Sequence, residues 1–219
     1  PTASVDDFEK TDVLLLMGSN TTDAHPIIAN RMIRAAKKGL KIYVIDPRKI
    51  GMVKAAEKHI PLKVGSDIAL MNGMIRIIIE EGWYNKEFVE KSTLNFEKLK
   101  EQVQDYTPEL VKEITGIDHE DVYEMAKAYA TADKAMIAYT LGITEHHCGV
   151  NNVFDIANLA ILTGHIGREG TGVMPLRGQN NVQGAGDMGC LPNMLPGFLP
   201  VDVPENRAIF EKAWNVKLN

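Results

Sequence analysis

The sequence predicts an α/β fold: a doubly wound, mainly parallel sheet with helices on both faces. Three observations predict it. Val13 to Met17 is a continuous apolar run bounded by Asp12 and Gly18, as a strand buried on both faces requires. Similar short apolar runs recur and alternate with stretches whose apolar residues fall at helical spacing, the pattern of strand–helix–strand units with right-handed connections. Prolines and small polar residues stand just ahead of those stretches, where helices begin.

In chain order, the first strand is followed by the loop GSNTTDAH and then by Pro26 at a first helical position. Ile27, Ile28, Met32, Ile33 and Ala36 continue that helix until Lys38-Gly39 ends it, and Lys41 to Ile45 forms the next strand. A short helix over Met52 to Lys58, a third strand over Ile60 to Val64 and a long amphipathic helix from Asp67 to Glu81, ended by Gly82, are expected next. From Asn85 to Ala132 the pattern is helical and charged, with starts at Asn85, Asn95, Thr107 and Asp118; Thr107-Pro108-Glu109 supplies an N-cap, an N1 proline and a first-turn acid. Ala135 to Leu141 resumes the sheet. A helix from about Val150 to Thr163, a strand at Gly172 to Leu176, a Pro-rich stretch from Leu191 to Pro204 and a last helix near Glu205 to Trp214 complete the chain.

At 219 residues the chain is long for one ordinary domain and short for two large ones, so one α/β domain with an appended piece is expected. The formal net charge is −5, with no basic stripe interleaved with aromatics, which argues against a nucleic-acid partner. The longest apolar runs fall short of a bilayer span, Ile75 to Ile79 being flanked by Arg76 and Glu80. Cys148 and Cys190 are the two cysteines, too few for a disulfide framework or for a four-cysteine iron–sulfur or zinc site. Starting at Pro1 without an initiator Met or a signal-like region, the sequence reads as an internal segment.

The run from Arg177 to Gly189, RGQNNVQGAGDMG, combines a cation, an acid and four amides with glycines and almost no apolar side chains. It reads either as a loop folded around a polar ligand or as a surface turn cluster. Glycines let backbone N–H groups approach a ligand, amides donate and accept, and a guanidinium grips a carboxylate or phosphate through two parallel bonds. Gly18-Ser19-Asn20 follows the first strand and Asp46 ends the second, the places where a doubly wound sheet binds ligands; against this, the loop lacks G-x-G-x-x-G, and Asp46-Pro47 is also a common turn. Gly65-Ser66-Asp67 reads as an N-cap at Ser66 with a favourable first-turn acid. Glu145-His146-His147-Cys148, taken as an extended segment, points alternately to opposite faces and does not converge on one metal ion. His165 suits a capping or packing role, and Cys190 that of a small buried apolar residue.

These segments resemble a known family in one order along most of the chain: LLLMGSNTTDAHPII, VIDPR, VGSDIAL, YTPELVKEITGI, LGITEHHCGVNNV, LTGHIGREGTGV and RGQNNVQG. The resemblance is to the bis(molybdopterin guanine dinucleotide) oxidoreductases, and in RGQNNVQG to the active-site segment of their formate dehydrogenases. It implies a Rossmann-like cofactor domain of formate dehydrogenase/DMSO reductase type over residues 1–178, with residues 179–219 starting an adjoining domain or extension. It also implies Mo or W as the metal, and a [4Fe–4S] cluster and a metal-ligating Cys or selenocysteine upstream of Pro1, so no metal ligand is assigned within the chain. The implied contacts to one pterin dinucleotide are Gly18, Ser19, Asn20, Asp46, Arg48 and Gly65, with Asp67 hydrogen-bonding the guanine edge. Gly142, Ile143 and Thr144 belong to the wall around the pterin, where Glu145 departs from a frequent Gln, and Gln179, Asn181 and Gln183 lie around the pterin and its dithiolene. Arg177 holds the carboxylate of formate, a role for which a bidentate guanidinium is also the best physical choice.

The activity implied is oxidation of formate to carbon dioxide, with a hydride or its equivalent passing to the metal and two electrons to the cluster. The implied partners are the rest of the catalytic subunit and iron–sulfur electron-transfer subunits. A cytoplasmic location is expected, with a periplasmic one left open. Two rivals remain: another molybdopterin oxidoreductase, such as a nitrate reductase, and a non-catalytic nucleotide-binding module.

Overall fold

The computed structural model describes residues 1–218 and divides the chain into two compact units, the first from Pro1 to Leu176 and the second from Arg177 onward. In the first unit, β1 (Val13–Met17) leads through a one-turn helix α1 (Thr21–Ala24) and α2 (Pro26–Ala36) to β2 (Lys41–Ile45) and β3 (Lys58–Ile60). Five helices follow: α3 (Asp67–Glu80), α4 (Lys86–Ser92), α5 (Phe96–Val103), α6 (Pro108–Thr115) and α7 (His119–Thr131). The chain then returns to the sheet in β4 (Ala135–Tyr139), α8 (Leu141–Thr144), α9 (Gly149–Thr163) and β5 (Gly172–Pro175). The sheet order is β3-β2-β1-β4-β5, with all neighbours parallel. β1 therefore lies at its centre, and the chain winds outward from it in both directions.

Alternation along the strands builds two cores, because successive side chains point to opposite faces. Leu15, Met17, Tyr43, Ile45 and Ile137 join α3, α7 and α9 on one face, while Leu14, Leu16, Ile42, Val44 and Ala138 join Met32 and Ala35 of α2 on the other. The helix starts at Asn85, Asn95, Thr107 and Asp118 are the observed N-cap positions; Asn85 Oδ1 accepts from Phe88 N at 2.9 Å and Thr107 Oγ1 from Leu110 N at 3.3 Å.

Several local expectations are corrected. The third strand covers Lys58–Ile60 rather than Ile60 to Val64, because Pro61 has no N–H to offer a ladder and Leu62 N turns back to Ile60 O at 3.0 Å. The helix expected over Met52 to Lys58 is a 3-10 turn, Gly51–Ala55. Glu145 to Cys148 is a turn rather than an extended segment, since the chain coils through α8 directly after β4.

In the second unit, the segment expected to be a loop from Arg177 to Gly189 contains α10 (Val182–Asp187), entered from Asn181 in the left-handed conformation (φ 48°). It is followed by a two-stranded antiparallel ribbon, β6 (Met194–Leu195) and β7 (Leu199–Pro200), and by α11 (Pro204–Trp214). Cys190 is exposed, not buried: it lies in the turn leaving α10, where its N–H bonds Ala185 O at 3.0 Å and its side chain packs into no core. Among the described residues, no helix is long and apolar enough to cross a membrane, and no group of three or more His, Cys, Asp or Glu is arranged to hold a metal ion.

Candidate functional site

The strand order reverses between β1 and β4, so the loops leaving these two strands part to opposite sides and open a crevice at the carboxyl end of the sheet. A cavity of about 340 Å³ lies there, lined by the ends of four strands: Gly18 and Asn20 after β1, Asp46 to Arg48 after β2, Leu62 to Gly65 after β3, and Thr140 to Gly142 after β4. Asp67 and His146 complete the wall. The early end of β3 matters here, since it frees Leu62 to Gly65 to serve as a wall.

The floor of the crevice is a contact between two backbones. Gly18 has φ +52°, its carbonyl accepts from Thr140 Oγ1 at 2.5 Å and from Gly142 N at 3.2 Å, and a Cβ on it would stand 2.7 Å from Gly142 C. A Cβ on Gly142 would likewise meet Gly18 O at 2.6 Å. Both residues must be glycine for the loops to approach this closely.

Asp46 is almost fully buried; its Oδ1 accepts from Arg48 N at 2.8 Å and lies 3.7 Å from Arg48 Nε, so it shapes the turn after β2 while facing the cavity. His59 Nε2 donates to Asp46 O at 2.8 Å, fixing that turn to β3. Asp67 is the first residue of α3, and its carboxylate is nearly buried against the cavity. Burial pushes this carboxyl above the ordinary range; its own backbone N–H and the nearby His146 pull it back, and Asp46 adds to the rise. Ser66 stands at the N-cap position of α3, but its hydroxyl donates to Lys63 O at 2.6 Å and does not cap the helix. The positive end of α3 is thus already met by the Asp67 carboxylate. A ligand reaching this corner meets an acceptor and is bound there by N–H donors rather than by phosphate.

The residues singled out from the sequence divide into three groups. Gly18, Asn20, Asp46, Arg48, Gly65, Asp67 and Gly142 line the one cavity. Ser19 and Ile143 flank it with side chains turned inward, Ser19 Oγ lying 2.8 Å from Thr21 Oγ1 and Ile143 fully buried in the core, while Thr144 is exposed outside the lining. Arg177, Gln179, Asn181 and Gln183 are exposed in the second unit, where the Asn181 side chain folds over Gly184. Sequence reasoning missed Lys63, Thr140 and His146 as cavity residues. Thr140 was legible as the residue leaving β4 toward Gly142; His146 was hidden because four adjacent residues were read as extended.

Residues 2–215 match the family model described as molybdopterin oxidoreductase. The chain belongs to the molybdopterin oxidoreductase family. Among its relatives, the F420-dependent formate dehydrogenase subunit alpha of Methanocaldococcus jannaschii is 48% identical over 218 residues, covering 100% of this chain and 32% of the relative. Formate dehydrogenase H of Escherichia coli is 46% identical over 98% of this chain and 30% of its own length. The acetylene hydratase structure from Pelobacter acetylenicus superposes with a TM-score of 0.69 at 34% identity, covering 74% of this chain and 22% of that one. The chain thus spans about a third of the length of the formate dehydrogenases it matches. A molybdopterin oxidoreductase works with a molybdopterin-type cofactor carrying Mo or W. Two features of the cavity fit a large polar group of this kind: a glycine-on-glycine floor with no side chain in the way, and a desolvated carboxylate that calls for an N–H donor.

Proposed function

We propose that this chain is the cofactor-binding part of a formate dehydrogenase catalytic subunit that oxidises formate to carbon dioxide. The observation that carries this reading is the 45–48% identity to formate dehydrogenase alpha subunits along essentially the whole chain. The cofactor is bis(molybdopterin guanine dinucleotide), and the cavity above β1 and β4 receives one guanosine diphosphate moiety. Asp67 accepts from the ring N–H and exocyclic amino group of guanine. Adenine has no N–H at the corresponding ring position and would leave a desolvated carboxylate without its donor, a loss of about 1–3 kcal/mol. Asp67→Asn is expected to weaken GDP binding by roughly tenfold or more while leaving the melting temperature close to the parent value, as titration calorimetry and thermal melting would show.

Arg177 orients the substrate. Formate offers two oxygens and one hydrogen, so a guanidinium that takes both oxygens fixes the direction of the C–H bond. Oxidation releases the carbon's hydrogen as a proton together with two electrons, and the Mo or W group, when bound, supplies the acceptor for that pair. Gln179, Asn181 and Gln183 serve the pterin with amide donors and acceptors. The working enzyme includes the remainder of the catalytic subunit with its [4Fe–4S] cluster, and iron–sulfur subunits to carry the electrons onward. Residues 1–178 form the dinucleotide-binding domain, and residues 179–219 begin an adjoining one.

In the full-length enzyme, Arg177→Lys is expected to lower kcat/KM for formate by roughly thirtyfold, about 2 kcal/mol of transition-state binding, because a point charge replaces a planar two-bond grip. Metal and pterin content should stay at the parent level. An unchanged kcat/KM would remove Arg177 from substrate binding. The likeness to an acetylene hydratase supports a second, non-redox reading, so formate oxidation and acetylene hydration are to be assayed side by side.

A further inference from the structure

On the reading above that this chain is part of a longer catalytic subunit, we propose that the outward face of α9, with the groove beside it, is an interface inside that subunit. Its occupant is an apolar segment of the same polypeptide from outside residues 1–219. Of the 15 residues of α9 (Gly149–Thr163), only Asp155 is charged, and it is nearly buried on the inner side. Ile156, Leu159 and Leu162 pack on that inner side in the core. On the outer side Val150 and Phe154, one turn apart, are 70% and 61% exposed. Their stripe continues at helical spacing through Asn158 to Ile161, and both of these line a groove of about 280 Å³ formed with α4 and α5. Leu94, in the connection from α4 to α5, is 89% exposed and also lines the groove, in which Lys98 is the one charged lining residue among the described residues.

A helix that faces water carries charged and polar side chains opposite its apolar stripe. α7, on the same face of the sheet, does so with Glu120, Glu124 and Lys127. α9 has no charge on its outer side, and two large apolar side chains stand there in water. A surface depleted of charge and rich in apolar side chains has the composition of a permanent interface, which resembles a core cut in two, and differs from the more polar surface of a transient encounter. Two observations choose the occupant. Formate dehydrogenases that align along essentially the whole of this chain are matched over only 32% and 30% of their own length, so most of such a subunit lies outside these residues. A segment joined through the same backbone also meets the face at high effective concentration, whereas a second copy loses translational freedom at each encounter.

The test uses the full-length catalytic subunit with a benzoylphenylalanine photo-crosslinker in place of Phe154, and in a second preparation in place of Val150. Both positions are exposed in the 219-residue part, so the probe displaces nothing in its core. After irradiation, a crosslink from either position to a peptide of the same subunit outside residues 1–219 is expected, in a species that runs as a single subunit on a denaturing gel. Phe154→Lys in the same subunit should then speed amide hydrogen exchange in that peptide by about tenfold or more, while β1 and β4 keep their parent protection. A crosslink to a second copy or to a different subunit, no crosslink from either position, or exchange unchanged by Phe154→Lys overturns the inference. Formate oxidation is assayed on the same preparations: its absence beside the expected crosslink sinks the activity and leaves the interface standing, and its presence without that crosslink does the reverse.

Discussion

Gly18→Ala is expected to cost about 4 kcal/mol of folding stability, although it adds a single methyl group. Two separate effects combine. The backbone at Gly18 is left-handed at φ +52°, where an L side chain costs about 1–2 kcal/mol. The added Cβ would also stand 2.7 Å from Gly142 C and 2.8 Å from Gly142 Cα, which are backbone atoms with no side chain to swing aside. β1 and β4 are paired in register up to Met17 and Tyr139, and Thr140 and Gly142 both bond the Gly18 carbonyl, so relief requires the two central strands to part at the mouth of the cavity. Overpacking of this kind costs about 1–3 kcal/mol. Gly82→Ala is the control: it has a similar left-handed backbone at φ +69° and nothing within 4 Å of the built Cβ, so it should lose about 1 kcal/mol. Urea denaturation of the two variants separates the terms. Equal losses would mean that the crevice floor yields freely and that the glycine pair is not what sets it.

Asp155→Asn is expected to stabilise the chain by about 3 kcal/mol at pH 8. Asp155 lies on α9, nearly buried, with Asn72 Nδ2 of α3 donating to its Oδ2 at 3.1 Å; burial raises its carboxyl to about 6, against bonds from Asn72 and Asn158 that lower it. The folded state therefore holds this proton up to about pH 6, while the unfolded chain releases it near the reference value of 3.8. Between these values the folded state binds more protons, so stability falls as pH rises, and the penalty is complete above the folded value. At about 1.4 kcal/mol per unit, the two-unit gap gives about 3 kcal/mol. An asparagine carries no charge to desolvate, and it brings a donor toward Asn72 Oδ1, a buried acceptor without a hydrogen bond.

His165 works in the opposite sense. Burial pushes its imidazole down to about 4, with Nε2 donating to Tyr129 O at 2.9 Å. The unfolded chain takes up this proton near the reference value of 6.5 and the folded one near 4, so stability rises with pH across that interval. In the parent the two slopes largely offset each other between about pH 4 and 6. The Asp155→Asn variant should expose the histidine slope as a steep loss of stability on acidification, read from melting temperatures at successive pH values. A variant less stable than the parent at pH 8 would show that the ionised carboxylate is worth more in hydrogen bonds than it loses by burial.

The sequence by itself determined the class of fold, the strand–helix alternation and the helix starts at Asn85, Asn95, Thr107 and Asp118. These depend on side-chain period and capping chemistry within a few residues, and both are local. Its motifs also picked out Gly18, Asp46, Asp67 and Gly142, four residues far apart in the chain that the fold gathers at one cavity. What the tertiary structure decided is how those residues serve it. The Gly18–Gly142 contact exists because β1 and β4 are neighbours, which no local pattern states. Pro61 ends β3 early because there is no ladder hydrogen bond for it to make, and the freed residues become a wall. His146 reaches Gly142 and Asp67 because the chain coils through α8 on leaving β4. Ser19 and Ile143, picked out by position in a motif, have side chains turned into the interior, because a motif fixes where the backbone passes and packing fixes which side chains remain to face the cavity.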